Sequence, residues 1–198
     1  MKKAKGIYCL EIGEWFKSLK IRNSVEPILQ LLKESPLAVS YIHRDIATDT
    51  ELRYYLRKWT QKVHKDYPIL YLAFHGHPGC IQVRKENGKS FDYETDDLFA
   101  TLANKCHRRI IHFGACSVLN IHGNVVNRYL NESGAAAISG YADDVDWVTS
   151  SIFEMLYLSL LQQNQFTKPG LRAVRNKLKI MAAPLQKNLK FKMRIRKQ

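Results

Sequence analysis

No apolar run in these 198 residues reaches the length of a membrane span, and the lysine-led start, MKKAKGIYCLEIGEW, is broken by Glu11 before it reaches signal-peptide length. The sequence also lacks CxxC pairs. Its four cysteines, Cys9, Cys80, Cys106 and Cys116, stand far apart, and a chain of this size needs no disulfides to fold. Reduced thiols and a soluble, cytoplasmic protein with no membrane partner are the expectation. Internal repeats and low-complexity linkers are absent too, so residues 1–198 are expected to form a single domain, with a core over about 6–182.

Acidic residues are missing from one place. Residues 165–198 hold 11 Lys or Arg and no Asp or Glu, so the other 164 residues carry 20 basic against 18 acidic side chains. The net charge of +13 therefore belongs to the C-terminal segment, and the near-neutral body argues against a basic nucleic-acid-binding protein.

What is present is alternation. Strand-like apolar runs at 6–12, 38–44, 68–74, 109–113 and 135–141 are separated by helical patterns at 25–34, 48–66, 96–106 and 123–133, with further helices near 147–163 and 169–182. Strand and helix in turn predict an α/β fold with a mostly parallel sheet. In residues 187–198 the period changes to two: Leu189, Phe191, Met193 and Ile195 alternate with Lys190, Lys192, Arg194 and Arg196. That pattern fits a basic edge strand, with a flexible basic tail or a polyanion-binding surface as the alternatives.

In an open parallel sheet, ligands bind outside the carboxyl ends of the strands. After ILYLAF come His75, Gly76 and His77; after RIIHFGA come Cys116 and Ser117. If those strands are neighbours, an imidazole and a thiol emerge side by side, which is a nucleophile and its base. His75 is the expected base and His77 the alternative. Gly76, having no β-carbon, allows close approach of substrate, and its N–H together with that of Cys116 is placed to hold an oxyanion. A rival reading takes His75, His77 and Cys80 as metal ligands, completed by His112 or His122, but the spacing matches no common zinc pattern. Neither metal nor cofactor is expected. Of the acidic group Asp143, Asp144 and Asp146, the last is expected to cap the following helix, and the other two to face the crevice of Cys116.

The order FHG at 74–76, then GACS at 114–117, with Cys116 standing 41 positions after His75, resembles the caspase-like cysteine peptidases, whose histidine lies about 50 residues before a Q-A-C-x-G signature. Gly114 stands where that signature has glutamine, and Ser117-Val118 replace its last two residues. The departures point away from strict caspases and toward the CHAT and clostripain neighbourhood. The resemblance implies a three-layer sandwich with helices on both faces of the sheet and a cysteine endopeptidase acting on protein or peptide substrates, with room for a regulatory protein partner. It also implies that Asp143 and Asp144 border the pocket for the residue before the cut, and hence a preference for Arg or Lys there. The alternative is an inactive interaction module of the same fold.

Overall fold

The apolar run of residues 6 to 12 becomes strand β1 (Ile7–Ile12), and all six of its residues are buried. In the computed structural model, which describes residues 4–12, 20 and 23–197, the chain continues through α1 (Glu26–Glu34), β2 (Tyr41–Ile46), α2 (Asp49–Trp59) and β3 (Ile69–Ala73). A small excursion follows, β4 (Gly76–His77), β5 (Cys80–Arg84) and β6 (Ser90–Glu94), leading to α3 (Thr95–Thr101). The last part holds β7 (Ile110–Phe113), α4 (Gly123–Ser133), β8 (Ala137–Tyr141), α5 (Trp147–Gln163), α6 (Lys168–Asn188) and β9 (Phe191–Ile195).

Six strands form the main sheet in the order β2-β1-β3-β7-β8-β9. The first five run parallel, and β9 closes one edge antiparallel to β8. Because side chains alternate across a strand, the sheet feeds two cores. On one face Leu10, Leu72, Ile111 and Ile138 pack under α2, α3 and α4. On the other, Cys9, Tyr71, Ile110 and Ala137 pack under α1, α5 and α6. The result is the three-layer α/β architecture expected from the sequence, with all five parallel strands pointing their carboxyl ends at one edge.

Local chemistry sets the boundaries. Thr48 and Glu51 form a reciprocal capping box at the start of α2. Gly134 ends α4 in the left-handed region, at φ 75°, where a β-carbon would be strained. The helix expected over 48–66 stops at Trp59, and residues 62 to 64 form a separate 3₁₀ turn. The last helix runs past 182 to Asn188. It kinks at Ala182 because Pro184 lacks a backbone donor and its ring crowds the preceding turn. In β9, Phe191 and Met193 are buried while Lys192 and Arg194 face solvent.

Candidate functional site

β3 and β7 are neighbours, with Leu72 opposite Phe113, so their carboxyl ends emerge together. The Gly114 N–H donates to the Leu72 carbonyl at 2.8 Å, extending the ladder to the edge from which His75 and Cys116 leave. Both residues line a single cavity of about 390 Å³, with Phe74, Val145, Trp147 and Val148 among its walls. A β-carbon at Gly114 would stand 2.5 Å from the Tyr71 ring and 2.8 Å from Glu154 Oε1. The space that a longer side chain would need there is already filled, which accounts physically for glycine at this position.

The Cys116 thiol is half-buried. It receives the Val145 N–H at 3.5 Å, and its own S–H points to the Val145 carbonyl at 3.9 Å. Burial raises its pKa above the ordinary thiol value, with the charges of Asp144 and Asp143 adding to the rise and the Val145 N–H opposing it. That direction favours the thiol over the thiolate near neutral pH. The residue after it, Ser117, sits in the left-handed region at φ 56° and is held there from two sides. Its N–H donates to the Asp143 carbonyl at 3.0 Å and its hydroxyl to Asp144 Oδ1 at 2.9 Å. Leu119 N–H donates to the Tyr141 carbonyl, tying the same loop to the end of β8.

Gly76 lies against this loop. A β-carbon on it would come within 2.6 Å of Val118 Cγ2 and 2.8 Å of the Cys116 carbonyl oxygen, so only glycine fits. The Gln82 N–H donates to the His75 carbonyl, which makes Gly76 and Ile81 a non-hydrogen-bonded pair of the small antiparallel ladder. The Gly76 N–H is thereby left outside that ladder.

The other expected site residues are placed apart from this cavity. His77 Nε2 is 2.9 Å from Asp92 Oδ1, across the small sheet. Asp143 pairs with Lys190 at 2.6 Å, and that hydrogen bond holds its carboxyl below the usual range. Asp144 accepts from Ser117, and Asp146 caps α5 by accepting the Thr149 N–H at 2.7 Å. Among the described lining residues of the His75–Cys116 cavity there is no carboxylate. Of the rival metal ligands, His112 is wholly buried and His122 caps α4, and the described residues contain no cluster of three or more His, Cys, Asp or Glu able to hold a metal ion.

Two groups went unread in the sequence. Under the site, Glu154 of α5 accepts hydrogen bonds from the hydroxyls of Tyr71 and Tyr141, and its Oε1 is 3.3 Å from His112 Nε2. His112 Nδ1 in turn meets the Ser139 hydroxyl, which also receives the Tyr157 O–H. Burial, and then the charge of Glu154, raise the Tyr71 and Tyr141 phenols well above their ordinary values, so both stay donors. A lone glutamate within the apolar run SIFEMLYLSLL was the available signal. The second group is Glu11, buried at the end of β1, which accepts from the Ser24 hydroxyl and the Val25 N–H and pairs with His43 at 2.7 Å.

The fold defined by this sheet and its helices is caspase-like. Among solved structures the chain is similar to caspase-1 from Spodoptera frugiperda, at 14% identity and a TM-score of 0.50, over 82% of this chain and 70% of that one. It is also similar to the Drosophila initiator caspase Dronc, at 13% identity and a TM-score of 0.51, over 89% of this chain and 72% of that one. No curated protein matches the sequence. The chain belongs to the family of unknown function DUF6642, which it matches over residues 4–194.

Proposed function

We propose that the protein is a cysteine endopeptidase with His75 and Cys116 as its catalytic pair. The observation that carries this reading is that the two side chains leave adjacent parallel strands into one cavity. A thiol at rest needs a base at the moment of attack. His75 takes the Cys116 proton as the sulfur bonds to the scissile carbonyl carbon, and the carbonyl oxygen becomes an oxyanion. The N–H groups of Gly76 and Cys116 are the donors for that charge. His75 then returns the proton to the leaving amine, the peptide C–N bond breaks, and a water deprotonated by the same imidazole releases the acyl group from sulfur. No metal or cofactor takes part in this scheme.

A preference for Arg or Lys before the cut is the reading that Asp143 and Asp144 invited. Their carboxylates are engaged with Lys190 and Ser117, and the described walls of the cavity include Phe74, Val145, Trp147 and Val148, with Asn23 and Ser150 as neutral polar neighbours and no carboxylate. We therefore favour an apolar side chain at the wall formed by Trp147 and Val148, both exposed at the start of α5. Substrates are proteins or peptides. A second reading, an interaction module of the same fold without activity, is favoured by the bracket that Val145 places on the Cys116 sulfur.

A peptide library separates the readings. Cleavage by the wild-type protein, lost in Cys116→Ala, with Leu, Val or Phe enriched before the cut, is the expected result. Cleavage that survives Cys116→Ala would end the peptidase reading, and equal cutting after Arg, Asp and Leu would end the apolar one.

A further inference from the structure

A second recess opens on the same carboxyl edge of the sheet, beyond β8 from the first. It measures about 680 Å³, and its walls include Lys179, Lys187, Lys190 and Lys192 together with Asn120 and Asp143. Asp143 is the only carboxylate among its described lining residues, and it is already paired with Lys190. Lys192 Nζ donates to the Leu119 carbonyl at 3.0 Å, which leaves its charge uncompensated. Among the described residues no carboxylate pairs with Lys179 or Lys187. The C-terminal end of α6 adds roughly half a negative charge nearby. Four ammonium groups against one carboxylate and half a dipole charge still leave the recess strongly positive.

We propose that this recess binds a small, multiply charged phosphate compound, and that its occupancy loosens the loop carrying Cys116. Lysines act as point charges with rotatable donors, a match for phosphate oxygens of varied direction, and the described walls hold no arginine fork of the kind that selects planar carboxylates. Asn120 and Gln186 supply neutral polar groups beside them. The aromatic residue of the lining, Phe191, is 6% exposed and so presents almost no face for stacking a nucleobase. The recess is also concave, which favours a compact ligand over a duplex. Coupling to the loop follows from shared residues. A phosphate competing for Lys190 releases Asp143, whose carbonyl holds the Ser117 N–H, and two residues on, Val145 brackets the Cys116 sulfur.

Isothermal titration with sodium tripolyphosphate at physiological salt tests the site on the full chain. One ligand per chain is expected, with Kd raised about tenfold or more in Lys179→Gln/Lys187→Gln. All four lysines changed in these experiments are exposed, so the variants keep the wild-type melting temperature. A remote control, Lys62→Gln/Lys65→Gln, should bind as wild type. No binding, or equal weakening by both pairs, would overturn the site, as would tighter, lysine-dependent binding of a 20-base-pair DNA duplex. The coupling is read separately by the rate at which iodoacetamide alkylates Cys116. Saturating tripolyphosphate should raise that rate, and an unchanged or lowered rate with binding intact would overturn the coupling alone.

Discussion

Gly76 and Cys116 meet so closely that one methyl group decides between them. Gly76→Ala would drive its β-carbon into the Cys116 carbonyl and the Val118 side chain, and neither has room to retreat because Val118 is fully buried. Overpacking of this kind costs roughly 1–3 kcal/mol. We expect a melting temperature lowered accordingly and, on the proposed peptidase reading, activity lost beyond that, since the displaced carbonyl belongs to the residue proposed as nucleophile. At the end of β1, His43 supplies a pH signature. Burial pulls its pKa down, but the hydrogen bond and charge of Glu11, with Glu26 and Asp45 behind, more than offset that, and the net shift is upward. A histidine whose folded pKa lies above its unfolded value stabilises the fold fully below the unfolded value, near 6.5, and that contribution is lost as pH rises through the folded one. Stability should therefore decline from pH 6 toward higher pH, and His43→Gln should flatten that slope. A slope unchanged by the substitution would assign it elsewhere.

At the level of elements, β9 carries the clearest expectation. Phe191 and Met193 are buried against α5 and α6, and Leu189 just before them is 2% exposed. Burying such side chains is worth about 1.5–3 kcal/mol each. Removing residues 189–198 should lower the melting temperature steeply, measured by thermal unfolding, and a truncated chain that melts like the full one would contradict the packing described. Element by element, the sequence was legible where a periodic apolar face met a recognisable boundary. Residues 123–133 and 147–163 form the expected helices because Gly134 and Asp146 mark their ends. It was less legible over 76–94, where three short strands build a separate small sheet. Asn87-Gly88, with Gly88 at φ 78°, was the turn signal there, but half-exposed charged strands carry little hydrophobic pattern. That His75 and Cys116 line one cavity was readable because adjacent parallel strands follow from a β-α-β order. The partners of Asp143, Asp144 and His77 depend on loop and edge geometry, which no local pattern encodes.

Over the whole molecule, the sheet's carboxyl edge gathers chemical groups that are distant in the chain: an imidazole after β3, a thiol after β7, an apolar wall from α5 and a basic recess from α6 and β9. Because the two acidic residues Asp143 and Asp144 are bound to Lys190 and Ser117, their conversion to asparagine should, on the proposed peptidase reading, leave peptide selectivity unchanged while loosening the Cys116 loop. A shift in selectivity in either variant would return them to the substrate pocket. Selective labelling of Cys116 over Cys9, Cys80 and Cys106 would follow from exposure alone, since those three are buried. The decisive quantity is the histidine dependence of that labelling. Alkylation rates of Cys116 at pH 7, followed by mass spectrometry in wild type, His75→Ala and His77→Ala, test the catalytic pair without any knowledge of substrate. The pairing predicts a rate about tenfold or more lower in His75→Ala and unchanged in His77→Ala; equal rates in all three proteins, or a loss confined to His77→Ala, would contradict it.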